Sequence, residues 1–261
     1  MTTHLLADSA TMLRRNLLHA LRYPSVTLIA GAVPVIMYLL FVYVFGATLG
    51  DGLPGAAGGR DSYIAYVTPG ILLLGIVGGA QSTAISVSMD MTSGIISRFR
   101  TMSIPRAAVL AGHVIGSVLQ TVVTLLVVVG VALVTGFRPT TGPVEWMAAL
   151  GFVALVAFAL TWLSTALGLS AKSVEAASNL PMPLILLPFF GSGFVPTESM
   201  PTVVRWFAEY QPFTPMIETL RGLLVGTDIG WSGPIAIGWC LLLSLVGFWW
   251  AFRLYDRDPV R

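Results

Sequence analysis

Apolar residues fall along this chain in long blocks separated by short polar islands, and the blocks have the length of membrane crossings. A helix spanning a bilayer needs about 20 mainly apolar residues. Six such stretches are read, at 26–49, 64–89, 107–135, 146–169, 180–195 and 233–252. The fifth is short and holds Pro181, Pro183 and Pro188, then Gly191 and Gly193. Proline removes a backbone donor and kinks a helix. This stretch is therefore expected to be an irregular helix that faces protein or a cavity rather than lipid.

The intervening segments carry patterns of their own. In residues 1–24, Leu6, Ala10, Leu13, Leu17 and Leu21 share one helical face, while Arg14, Arg15, His19 and Arg22 lie elsewhere. An amphipathic helix of this kind suits the membrane interface. Residues 90–106, DMTSGIISRFRTMSIPR, form a polar island with Asp90, Arg98, Arg100 and Arg106. Ile95, Ile96, Phe99 and Met102 recur there at helical spacing, and Pro105 would stop the helix. Residues 50–62 and 136–145 read as short glycine- and proline-rich turns, the first of them flexible. In 196–232, Pro201 opens a helical pattern with Val203, Phe207 and Tyr210 on one side. Thr214–Pro215 opens a second, with Met216, Ile217, Leu220, Leu223 and Leu224. These two short helices are expected to dip into the outer leaflet as a hairpin. The fold class is all-α, a polytopic membrane protein of one domain, without internal repeats or linkers.

Composition sharpens this reading. The chain has 261 residues, 56% hydrophobic and 10% charged, with a mean hydropathy of +0.84. Soluble domains carry about 25% charged residues. A single cysteine, Cys240, rules out an intramolecular disulfide, and the net charge of +2 is too small and dispersed for nucleic acid. No small-residue cleavage site follows the first apolar run, so an uncleaved chain is expected. With the N-terminus inside, ten of the fourteen basic residues fall on inner segments; Arg60, Arg138, Arg205 and Arg221 fall outside. That bias places both termini, and the 90–106 island, in the cytoplasm.

Candidate chemistry is sparse. His4, His19 and His113 are far apart, so no metal-ligand spacing exists. His113 reads as an interfacial polar residue. A rhomboid-type serine protease would need a G-x-S-G motif, and Phe190 stands where its first glycine belongs before Ser192. Ser192 reads better as a small residue in a broken helix. Proton-driven transport requires ionisable groups at membrane depth; the span interiors have none, although Glu198, Glu209 or Glu218 remain candidates to dip inward. The P-loop needs G-x-x-x-x-G-K-[ST]. The lone lysine, Lys172, has Ala166 and Ala171 in place of those glycines. Energy for active transport must then come from another polypeptide. In the second span, Gln81, Ser82, Thr83, Ser86 and Ser88 form a mildly polar face, suited to lining a pathway or bonding a neighbouring helix. Gly75-x-x-x-Gly79 and Gly112-x-x-x-Gly116 permit close helix approach. Trp146, Trp162 and Trp206 read as interface-belt residues.

Two stretches carry a family resemblance. Asp90–His113, with Gly94 and the Arg98–Phe99–Arg100 triplet, and Phe194–Leu224 resemble the intracellular loop and the outer segment of daunorubicin/doxorubicin-resistance-type permeases. The whole layout resembles the membrane subunits of type 2 ABC exporters. The resemblance implies a permease in the bacterial inner membrane that exports a drug-like or lipid-like amphipathic substrate. It would bind no cofactor itself, with ATP and Mg held by a partner ABC ATPase. A second permease copy or a paralogue would complete the pathway within the membrane lipids. Asp90, Gly94, Ile95, Arg98, Phe99, Arg100 and Arg106 would form the coupling helix that docks on the ATPase. Gln81, Ser82, Ser86, Phe189 and Phe190 would line the pathway. Pro196, Glu198, Pro212, Pro215 and Arg221 would belong to the outer hairpin.

Overall fold

Long helices dominate the chain, and their order follows the apolar blocks. The computed structural model describes residues 24–53, 58–93 and 106–255. The interfacial helix read in 1–24 lies almost wholly outside the described residues. So do Gly94, Ile95, Arg98, Phe99 and Arg100 of the coupling loop.

Helix α1 (Pro24–Leu40) contains Pro34, passes through a π-helical turn at Phe41–Phe45 and continues as α2 (Gly46–Asp51). α3 (Gly59–Thr92) follows, then α4 (Arg106–Val134) and α5 (Pro143–Ser170). Three short pieces come next: α6 (Val174–Asn179), α7 (Met182–Leu186) and a 3-10 turn, Leu187–Phe190. Another 3-10 turn at Thr197–Ser199 leads to α8 (Thr202–Tyr210), α9 (Phe213–Val225) and α10 (Ser232–Tyr255). No strand occurs among the described residues. At its start α3 reaches further than its apolar block. Gly59 N–H donates to Asp51 Oδ1 over 2.8 Å, so residues 59–62, expected in a flexible turn, belong to a helix.

Among the described residues five helices are long and apolar enough to cross a membrane: Gly31–Asp51, Gly59–Thr92, Leu110–Val134, Pro143–Ser170 and Ser232–Tyr255. The stretch at 180–195 is not one of these continuous helices. Its prolines break it into a single α turn, a 3-10 turn and a bend. The 174–193 segment runs alongside α3, where Gln81 donates to Ser178 O and Gly70 meets Gly193.

α3 is the centre of the bundle, with every residue from Val67 to Val77 buried. It meets α5 closely: a Cβ on Gly168 would lie 2.5 Å from Ala84 O. It meets α4 through Gly75 and Gly79, which face Leu125 and Thr121. α10 lies on the other side of α5, where Gly247 abuts the backbone of Trp162 and Leu163. Trp162 is thus not a belt residue. It is 6% exposed, edge-on to Phe248 with ring centres 5.0 Å apart. The main core joins α3, α4, α5 and α9 around Tyr63, Leu73, Phe213 and Met216. A smaller core around Val87, Leu110 and Tyr255 closes the end where the 93–106 loop attaches. That end is called the loop end below, and the end carrying α8 the hairpin end.

Candidate functional site

Two polar arrangements interrupt the apolar bundle, one towards each end of α3. The first is built on the bend at Gly191–Ser192–Gly193. Three prolines bring the chain to this point without regular helical bonding, leaving carbonyls to be satisfied by other partners. α9 supplies them. Its polar stripe, Thr214, Glu218 and Arg221, follows helical spacing and continues back to Gln211. Arg221 Nη2 donates to Ser192 O over 2.5 Å and to Tyr66 O over 3.3 Å. The same guanidinium lies 3.9 Å from the centre of the Tyr66 ring, a stacking that offsets part of the cost of removing its charge from water. Gln211 Nε2 donates to Leu187 O over 3.0 Å. Thr214 Oγ1 accepts from Ser192 N over 3.4 Å and donates to Ala208 O over 2.5 Å. Tyr63 donates to Phe194 O over 3.3 Å. Glu218 accepts from Ser232 Oγ over 2.6 Å, joining α9 to the start of α10.

The bend also rests directly on α3. A Cβ on Gly70 would sit 2.6 Å from Gly193 O and 2.8 Å from its Cα. Gly70 therefore excludes a side chain unless the backbone moves, while a Cβ on Gly193 would be tight, 3.2 Å from Ile217 Cδ1 and Pro188 O. The cluster is not fully satisfied. Ser192 Oγ, Gln211 Oε1 and Arg221 Nε are buried without hydrogen-bond partners, which costs about 1–3 kcal/mol for each group left so.

The second arrangement is at the loop end. His113 Nε2, in α4, lies 3.2 Å from Asp90 Oδ2, in the last turn of α3. His113 is 4% exposed, so it is not an interfacial residue but a buried one facing a carboxylate. A negative charge at a helix C-terminus opposes the helix dipole, and the imidazole offsets that. The pair ties together the two helices that flank the 93–106 loop. Arg106 opens α4. Nearby, Ser173 caps α6 by accepting from Ala176 N over 3.1 Å. Backbone and Ser173 hydrogen bonds hold the Glu175 carboxyl below its ordinary pKa.

The remaining sequence-derived positions scatter. Gln81 ties α3 to α6, while Ser82 and Ser86 are exposed, with Ser82 bonded to its own helix at Gly78 O. Phe189 stacks on Phe194 with ring centres 4.7 Å apart, and Phe190 meets Phe207 edge-on. Glu198 is exposed, Pro196 half-buried, Pro212 precedes α9 and Pro215 is buried in its first turn. Arg221, expected in the outer hairpin, lies on α9 with its guanidinium folded into the bundle against Tyr66. Ser192 and His113 do not form a catalytic pair. Ser192 sits at the level of Tyr66 and His113 beside Asp90, about 36 Å apart along α3 by helical rise. Among the described residues no cluster of three or more His, Cys, Asp or Glu is arranged to hold a metal. Tyr66, Gly70 and Gln211 were not singled out from sequence, and Thr214 was read only as a helix start. The signal available was the 211–214–218–221 polar stripe on an otherwise apolar helix.

A family model described as ABC-2 type transporter matches residues 9–225. The chain is 29% identical over 244 residues to the daunorubicin resistance ABC transporter permease protein DrrB1 of Streptomyces coeruleorubidus, covering 92% of this chain and 83% of that one. It is 24% identical over 195 residues to the probable doxorubicin resistance ABC transporter permease protein DrrC of Mycobacterium tuberculosis, covering 75% of this chain and 70% of that one. DrrC of a second strain of that species matches to the same extent.

Proposed function

Because this chain belongs to the ABC-2 type transporter family, we propose that it is the permease subunit of an ATP-driven exporter. The family is one of membrane subunits of ABC transporters, and several apolar helices make this chain a multi-pass membrane protein. ATP and Mg are bound by a separate ABC ATPase. The observation that carries this reading is the family match across 9–225 in a chain whose only lysine, Lys172, lacks the P-loop glycines.

In this reading the protein lies in the bacterial inner membrane with both termini cytoplasmic, the side favoured by its arginines. Asp90, Gly94, Ile95, Arg98, Phe99, Arg100 and Arg106 form the ATPase-docking loop, with arginines making charge-assisted contacts and Ile95 and Phe99 filling an apolar floor. The Asp90–His113 contact supports it: a loop tied at its base transmits a push to α3 and α4 rather than absorbing it. α3 then carries the displacement to Gly70 and Tyr66, where the clamped bend sits. A second permease, identical or related, completes the pathway. The cargo is amphipathic, drug-like or lipid-like. That class is supported by the named relatives and by span interiors without charge.

Reconstitution tests this. The chain alone in vesicles should move no drug uphill. With its ATPase subunit it should accumulate daunorubicin-like compounds on ATP addition, insensitive to an ionophore that collapses the proton gradient. Uphill transport by the chain alone would overturn the proposal.

A further inference from the structure

α9 has a second neighbour. On another of its faces, α4 and α5 part to leave an apolar groove of about 260 Å³. Leu125 and Val129 of α4, Ala149 and Val153 of α5 and Leu224 of α9 line it, and Met147, 75% exposed, stands at its edge. Trp146 closes the end nearest the α4–α5 connection. That connection is polar. Arg138 is exposed, Glu145 is exposed in the first turn of α5, and the Thr140 and Thr141 hydroxyls donate to the carbonyls of Val225 and Leu224. The groove therefore lies between a charged rim and the middle of two membrane-crossing helices.

The lining selects the occupant. The volume would hold about nine waters at ~30 Å³ each, but a buried water needs two to four polar partners. Here the Trp146 indole is the only polar side-chain group on the wall. Drug-sized ligands occupy pockets of about 300–1,000 Å³ with a few fixed polar groups, and this groove is smaller and has almost none. A slender hydrocarbon meets both limits. Its polar end would emerge at the α4–α5 connection, where Arg138 and Glu145 are both exposed.

We propose that this groove is a binding site for one acyl chain of a phospholipid, entering from the leaflet that contains the α4–α5 connection. The chain packs against Leu220 and Leu224 of the helix whose Arg221 clamps the Gly191–Gly193 bend. Bound lipid thereby supports the position of α9. The proposal requires only that α4 and α5 cross a membrane, so it stands or falls separately from the ATP-driven function.

Photo-crosslinking tests it. The full chain is placed in phosphatidylethanolamine–phosphatidylglycerol vesicles containing phosphatidylglycerol with a diazirine near one tail end, and adducts are mapped by mass spectrometry. Adducts should concentrate several-fold on residues 122–129 and 146–153 over the equally apolar, exposed face of α10 at 241–246. Ala149→Trp, which fills the groove, and Met147→Trp, which covers its edge without disturbing the core, should each bring labelling down to the α10 level. Met182→Trp, exposed elsewhere, should leave it unchanged. Even labelling of all exposed helices, or labelling unaffected by Met147→Trp in folded protein, would overturn the site. So would disulfide-linked dimers of Leu126→Cys that block the adducts, since a second copy would then be the occupant.

Discussion

Arg221 holds Tyr66 in two ways at once: its guanidinium stacks 3.9 Å from the ring centre and its Nη2 donates to the Tyr66 carbonyl. Since the same Nη2 reaches Ser192 O, one side chain of α9 fastens the irregular bend to the central helix. The contact joins the part of the chain with the least regular backbone to the part that is most completely buried.

Replacing Arg221 should expose that dependence. Arg221→Ala leaves two carbonyls without their donor and should destabilise the protein by about 1–3 kcal/mol. Arg221→Lys should rescue little, because an ammonium cannot both stack on the ring and fork between two carbonyls. Thermal unfolding in detergent checks this; a Lys variant as stable as the parent would show that charge alone suffices.

Gly70→Ala forces a methyl into the backbone of Gly193. The expected cost is about 1–3 kcal/mol, the range for overpacking, together with loss of transport. Gly130→Ala is the control: a Cβ there meets nothing within 4 Å, and an exposed helical glycine replaced by alanine gains up to about 1 kcal/mol. Parallel melting curves and drug-efflux assays distinguish the two.

At the loop end, His113→Leu removes the group facing Asp90 and should lower stability by about 1 kcal/mol, the net worth of one such polar contact. His113→Gln keeps a donor near that oxygen and should lose less. If the pair also transmits force, ATPase activity in the assembled complex should become less responsive to drug in His113→Leu than its stability loss accounts for. Equal behaviour of Leu and Gln variants would show that the imidazole merely fills space.

Phe99→Asp tests the docking loop directly. Transport should be abolished while insertion and permease folding persist, read by unchanged membrane yield and melting. Co-purification of the ATPase with the variant should fall sharply, because a charge replaces the apolar contact that the loop is proposed to offer. Retained efflux would remove Phe99 from the interface.

The bundle was legible because apolar block length reports directly on bilayer thickness. Glycine spacing at Gly75 and Gly79 likewise pointed to a close helix neighbour, which proved to be α4. Residues 180–195, expected as an irregular helix, are broken into short turns whose course hydropathy could not give, because it counts residues and not rise. Three prolines and two glycines shorten the path and turn it, and only packing against Gly70 shows where it stops. Trp162 misled for a related reason. A tryptophan near mid-helix has the same composition whether it meets lipid or another helix, and the crossing of α5 with α10 at Gly247 decides which.

Sequence by itself determined the membrane class, the helical fold and the family resemblance, because these depend on apolar lengths and on local motifs such as Arg98–Phe99–Arg100. It also showed that Lys172 does not belong to a P-loop, since that motif must be contiguous. Only the tertiary structure decided that Arg221 is a clamp rather than a loop cation, and that His113 faces Asp90 across the base of a loop. Those roles arise between residues 23 to 155 positions apart. At such separations no periodicity carries information, and the pairing is set by how the helices cross.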